Sequence, residues 1–376
     1  MGRERPSTVS WTLNRNAAPA GAYPDRLKPV IGLDAHRAAH AEITSWPGYR
    51  KTPLRNARNL ASRLGLESVW VKDESGRFGL GSFKALGGAL GVQHVMKGGE
   101  GGAARLTVTC ASDGNHGRSV AWGARMFGCD AVIYLPAHVT EVRADAIRSF
   151  GARIVRVDGE YDEAVAQAAR DARTHGWTVI SDTSYPGYME IPRVVMVGYT
   201  VMVEETSIPP RPSHVFIQGG VGGLAAAVIG HLWERLGEDR PVAVIVEPEA
   251  ADGLLCSARA GRPAASRGDL DTIMAGLSCR DVSPLAWDVV GAGAHAFMTV
   301  PDSGIAPLMR DAARGELGEP FEGGESGVAG LLGLIEVARD EDRRREIGLD
   351  EHSRVLVFNT EGATDPELYG RIVGTG

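Results

Sequence analysis

A chain of 376 residues with 43% hydrophobic content can bury two cores rather than one, so two lobes are expected. Its formal net charge of −7 gives no field attractive to nucleic acid or an anionic membrane, which leaves a small molecule as the expected partner. The basic opening MGRERPSTVSWTLNRN has no apolar run behind it, and runs such as residues 224–230 are too short to span a bilayer, so the sequence reads as cytoplasmic.

In chain order, residues 67–75 (ESVWVKDES) read as a short strand ending in acid and turn residues, and residues 84–98 (KALGGALGVQHVMKG) as a small-residue helix. Residues 104–128 read as strand, tight turn and helix, and residues 130–184 as strand, helix, strand, helix, strand. A second series starts at residue 213 with strand, glycine loop and helix, followed by the strand PVAVIVEPE. Residues 250–325 are rich in Gly, Ala, Asp and Pro and read as loops and short helices; residues 327–348 read as one helix, and SRVLVFNTEG as a closing buried strand. Such alternation means an α/β fold of parallel sheets flanked by helices.

Three turns fall at strand ends, where open parallel sheets bind their ligands: FGLGSFKALGG around Lys84, SDGNHG from Ser112, and Gly219-Gly220-Val221-Gly222-Gly223. The glycine loop precedes a helix, whose N-terminus suits a phosphate. It also satisfies the weak dinucleotide pattern G-x-G-x-x-G/A, with Glu247 ending the next strand, and glycines serve tight strand–helix packing as well. Lys84 is one of five lysines, and its bland role is a solvated residue on the first turn of a helix. A cation there opposes the helix dipole, and a desolvated lysine near positive potential would have a depressed pKa suited to condensing with an aldehyde. The four cysteines, Cys110, Cys129, Cys256 and Cys279, show no CxxC spacing, so no metal site is expected from them.

The run VKDESGRFGLGSFKALGG, then TCASDGNHGRSVAWGA, then the glycine loop is similar in order to the fold-type-II pyridoxal-5′-phosphate enzymes, the group of threonine dehydratase, serine racemase and the tryptophan synthase β chain. More narrowly, ASDGNHGRSVAWGAR, DAVIYLP, GWTVISDTSYPGY, IPRVVMVGY, IVEPEAADG, DTIMAGLSC, GGESGVAGL and NTEGATD resemble the diaminopropionate ammonia-lyase family across about residues 40–370.

The resemblance implies a homodimer in which residues 1–88 and 190–376 make a large cofactor-binding domain and residues 89–189 a small mobile one. It implies pyridoxal 5′-phosphate as cofactor and α,β-elimination of 2,3-diaminopropionate to pyruvate and ammonia. Lys84 would carry the cofactor and take the Cα proton of an L-substrate. The cofactor would be held by Lys84, Phe83, Asn115 at the ring oxygen, Gly219, Gly220, Val221, Gly222 and Gly223 at the phosphate, and Thr360 at the pyridine nitrogen. Ser112, Gly114 and the neighbouring backbone would hold the substrate carboxylate, with Tyr185 shaping the pocket, while His116 would be structural.

Asp113 stands where related dehydratases have a small residue. It is either an Asx-turn residue or a partner for the substrate's β-ammonium and the base for a D-substrate. Asp182 would assist as a second acid or serve its turn. Two departures from the family pattern are Tyr185-Pro186 in the ISDTSY segment and Gly253 in place of a cysteine, which leaves any pairing of Cys256 with Cys279 open. Alternatives are β-replacement or dehydration of another β-substituted amino acid, a non-catalytic binding homologue, and a nicotinamide dehydrogenase.

Overall fold

The computed structural model describes residues 9–98, 106–112, 114–159, 161–206 and 211–374, and within them the strands form two sheets. The strands are β1 (Trp11–Leu13), β2 (Leu54–Asn56), β3 (Ser68–Asp73), β4 (Thr107–Ala111), β5 (Asp130–Pro136), β6 (Arg153–Val157), β7 (Thr178–Val179), β8 (His214–Gln218), β9 (Val242–Pro248), β10 (Ala296–Val300) and β11 (Arg354–Asn359). The larger sheet runs β1-β10-β9-β8-β11-β3-β2, parallel except at its two edge pairs, β1 with β10 and β2 with β3. The smaller sheet runs β6-β5-β4-β7 and is parallel throughout.

Strand alternation divides the large lobe into two cores. Val215, Ile217, Ile245, Leu356 and Phe358 face one side with the helices Glu190–Glu204 and Gly223–Leu236, while Phe216, Val244, Val246, Val355 and Val357 face the other with the helix Ala329–Ala338. In the smaller sheet, Val108, Cys110, Ile133 and Leu135 oppose Val132 and Tyr134 in the same way. Burial on both faces is why these strands read as apolar runs.

The helix Lys84–Gly98 joins the lobes, with Leu86 and Ala89 in the large core and Val92 in the small one. Its glycines permit the approach: a Cβ on Gly198 of the facing helix would stand 2.9 Å from the Gly87 Cα.

Two expectations need correction, and two short strands went unread. AFMTV, placed among loops and short helices, is the buried strand β10, an apolar run of five between polar and small-residue stretches. The three-residue edge strands β1 and β2 are too short to show a period. Residues 327–348 hold two helices, because the Asp340 carboxylate accepts from the N–H groups of Asp342 and Arg343 and starts a second one, Glu341–Ile347.

Candidate active site

Chain order places two switch points face to face. In the large sheet the chain proceeds from β8 outward to β9 and β10, whereas β11 lies on the other flank of β8; in the small sheet β5 and β6 lie on one side of β4 and β7 on the other. A crevice opens where the order reverses, at the carboxyl ends of the strands. The glycine loop follows β8, Thr360 follows β11, Ser112 follows β4, and Asp182 lies three residues past β7. All four border one cleft, together with Phe83, Lys84, Gly114, Asn115 and His116.

Lys84 is held by the chain's last strand. The Phe83 N–H donates to the Thr360 carbonyl at 3.0 Å and the Gly362 N–H to the Gly81 carbonyl at 2.9 Å, while the Ser82 Oγ accepts from the Lys84 N–H at 3.1 Å and starts the helix. From the small lobe, the Ser119 hydroxyl donates to the Lys84 carbonyl at 2.7 Å. The Ser112 Oγ accepts from the N–H groups of Gly114 and Gly117 at 2.9 and 2.8 Å, fixing the DGNHG turn. His116 is buried, with Nε2 2.8 Å from the Ile180 carbonyl, in keeping with the structural role expected of it.

The Lys84 ammonium pairs with the Asp182 carboxylate, the two side chains being 20% and 11% exposed. Burial pushes the lysine's pKa down, but Asp182, backed by Tyr199, outweighs it and holds the value above the ordinary one. Burial likewise raises Asp182, and Lys84 and His116 override it, so the acid lies well below the usual carboxylate range. This corrects the expectation of a depressed lysine pKa: the sequence shows the helix N-terminus but not a partner 98 residues away.

Glu247 overturns the dinucleotide reading. Its carboxylate turns inward, accepting from the N–H groups of Leu254 and Leu255 at 2.9 and 2.8 Å, and a Cβ on Gly219 would stand 2.5 Å from its Cγ. Burial, partly offset by those two bonds, pushes its pKa up to about 8. It supports the glycine loop from below and offers nothing to a ribose.

Gly219, Gly220, Val221 and Gly223 line the cleft. Gly222 supplies the turn, with φ +98°, and a Cβ there would point at Ala286 and not into the cleft. Asp113 lies outside the described residues. Tyr185 is 49% exposed, stacked on Tyr188, and borders an adjoining groove with Tyr161, Val221 and Cys279. No disulfide joins Cys256 to Cys279; the Cys256 thiol donates to Asp252.

The cleft also contains Tyr199, Gln218, Cys279 and Glu361, none foreseen as site residues. Glu361 accepts from the Asn115 side-chain amide and from the Ser326 N–H. Its place beside Thr360 in NTEG was the available clue, whereas Tyr199 reads as an ordinary core residue of an apolar helix.

The cleft suits pyridoxal phosphate. Gly220 adopts φ +62° and a Cβ there would stand 3.7 to 3.8 Å from the cleft residues Gly276, Leu277 and Cys279, the first-turn N–H groups of the helix beginning at Gly223 have no intrahelical acceptors, and the Lys84 amine shares the cleft with them. The buried Tyr199 hydroxyl, which interacts with Lys84, also lines the cleft.

The family model for pyridoxal-phosphate dependent enzymes matches residues 45–361. A diaminopropionate ammonia-lyase of Salmonella typhimurium strain LT2 is 37% identical over 367 residues, covering 88% of this chain and 89% of that one. Its Escherichia coli counterpart, solved in complex with an aminoacrylate-PLP azomethine reaction intermediate, superposes with a TM-score of 0.89 at 33% identity over 98% of both chains. The same enzyme in complex with D-serine gives 0.88 at 32% identity, covering 98% of each chain.

Proposed function

Since the chain belongs to the pyridoxal-phosphate dependent enzymes, among the diaminopropionate ammonia-lyases, we infer that it eliminates the β-amino group of 2,3-diaminopropionate, yielding pyruvate and ammonia. The observation that carries this reading is the pairing of Lys84 with Asp182 opposite a glycine cradle at a helix N-terminus. The relatives are named for elimination, and nothing favours β-replacement or a binding-only role.

Pyridoxal phosphate, when bound, supplies an aldehyde for amine exchange and a ring that accepts electrons from Cα. Lys84 carries it and, as a free amine, is the base for the Cα proton of an L-substrate. Asp182 then favours the protonated lysine, which keeps the proton at Nζ from returning to Cα. The backbone from Gly219 to Gly223 and the helix N-terminus would hold the phosphate, and Phe83, Asn115 and the Thr360 hydroxyl would hold the ring. Ser112 and the Gly114 backbone hold the substrate carboxylate, and Tyr185 guards the approach from the adjoining groove. Asp113 attracts the β-ammonium and is the base for a D-substrate.

The reading extends to two domains, residues 1–88 with 190–376 and residues 89–189, of which the smaller moves. Its support is that the four-stranded sheet takes all its strands from residues 107–179. It also extends to a homodimer in the cytoplasm, supported by the family likeness and by the finding that no helix among the described residues is long and apolar enough to cross a membrane.

Pyruvate release by the purified holoenzyme from D- and L-2,3-diaminopropionate and from serine tests the reaction. Diaminopropionate is expected to be preferred, and Asp113→Asn to narrow that preference by about one to three powers of ten, because opposite charges about 4 Å apart gain about 1–4 kcal/mol. Preference for serine, or none, would overturn the reading.

A further inference from the structure

A second constellation lies away from the cleft. His36 on the helix Leu33–Ser45, Glu204 at the end of the helix Glu190–Glu204 and His231 on the helix Gly223–Leu236 bring their ligand atoms within 4.8 Å of one another. Among the described residues this is the only such group of three. His36 and His231 are 6% and 1% exposed, and their rings lie 4.4 Å apart.

The spacing suits a small tetrahedral cation. Ligand atoms about 2.0 Å from zinc stand about 3.3 Å apart. The His36 Nε2 is 3.9 Å and the His231 Nε2 3.0 Å from the same Glu204 oxygen, so the two edges bracket that length.

The tautomer of His36 is already the required one. The Thr200 hydroxyl donates to the Val197 carbonyl at 2.6 Å, so its oxygen accepts from the His36 Nδ1–H at 2.8 Å. Nε2 is left as a bare lone pair aimed towards a carboxylate, an arrangement a cation resolves. Metal-bound histidines are oriented in this way through their second nitrogen. His231 donates from Nε2 to Glu204, and its Nδ1 has no partner. Shifting its proton to Nδ1 gives up only the bond to Glu204, which the metal would replace. The competing cation is Arg235, which contacts the same Glu204 oxygen and is 40% exposed, free to turn into solvent.

We propose that His36, Glu204 and His231 bind one divalent transition-metal ion, zinc in the first instance, with water in the fourth position. The ion would clip three helices, two of which also serve the cleft: Tyr199 lies on the helix ending at Glu204, and the helix of His231 begins at the glycine loop. This inference stands independently of the substrate.

Holoenzyme stripped with a chelator, equilibrated with zinc sulfate and gel-filtered is expected to retain one zinc per chain and to melt at a higher temperature than the stripped form. His36→Gln and Glu204→Gln should each lose that zinc, and Thr200→Val should weaken it by about 10–100-fold. Arg235→Gln, an exposed change, should tighten it. Cobalt(II) offered to the wild type should give the intense visible absorption of a tetrahedral site. No stoichiometric metal in the wild type, or zinc retained unchanged by His36→Gln, would overturn the proposal.

Discussion

At the residue scale, the pairing of Lys84 with Asp182 governs when the amine is available. With the carboxylate present the lysine's pKa is above its ordinary value; without it burial, the largest of the causes, is opposed only by Tyr199 and Cys279, and the value falls. Asp182→Asn should therefore raise the neutral fraction at a given pH and move the pH profile of cofactor uptake by the apoenzyme downwards; a stopped-flow pH series showing no shift, or an upward one, would contradict this. Glu247 has a different consequence. Its pKa is about 8 when folded against an ordinary 4.5, so between those values the unfolded chain releases a proton that the folded one keeps, and stability falls as pH rises through that window. Glu247→Gln should lose less stability than the wild type between pH 5 and 8, read from urea midpoints. The sequence pointed to Glu247 as a strand-end acid, but strand register alone does not say whether such a side chain turns to the ligand or to the next helix.

Between elements, a buried charge network fixes the stretch that leads to Lys84. Glu205, just past the helix Glu190–Glu204, accepts from Lys72 on β3 at 2.5 Å and from Arg77 at 2.8 and 2.9 Å, and Arg77 also bonds Glu74. Glu205→Gln leaves Lys72 and Arg77 sharing the single carboxylate of Glu74, with one buried cation uncompensated, and should cost about 3–5 kcal/mol in urea unfolding, a loss below about 1 kcal/mol being the contrary result. The strand β3 was legible as a β-branched and aromatic run ending in acids, whereas the helix Glu190–Glu204 went unread, since burial along nearly its whole length leaves no polar face to mark a period. Legibility failed where a tertiary partner decides: β10 forms because β9 and β1 flank it, and the break before Glu341 depends on one cap. The cluster of His36, Glu204 and His231 is the extreme case, since His36 and Glu204 are 168 residues apart and share no motif.

For the whole molecule, sequence order alone gave the convergence of three strand-end turns, because parallel sheets put every such turn on one side. Asp182 is reached through the family resemblance and Glu361 adjoins Thr360, but that Tyr199 would join them depends on how the helix Glu190–Glu204 faces the cleft, which no local pattern encodes. The helix Lys84–Gly98 contributes side chains to the cores of both lobes, so the lysine at its start sits on the joint between them. The claim on which the account rests is that this lysine carries the cofactor. Borohydride reduction of the holoenzyme, followed by proteolysis and peptide mass measurement, tests it directly. The account predicts the reduced pyridoxyl phosphate mass on the peptide containing Lys84, and its attachment to Lys28, Lys51, Lys72 or Lys97 would contradict it.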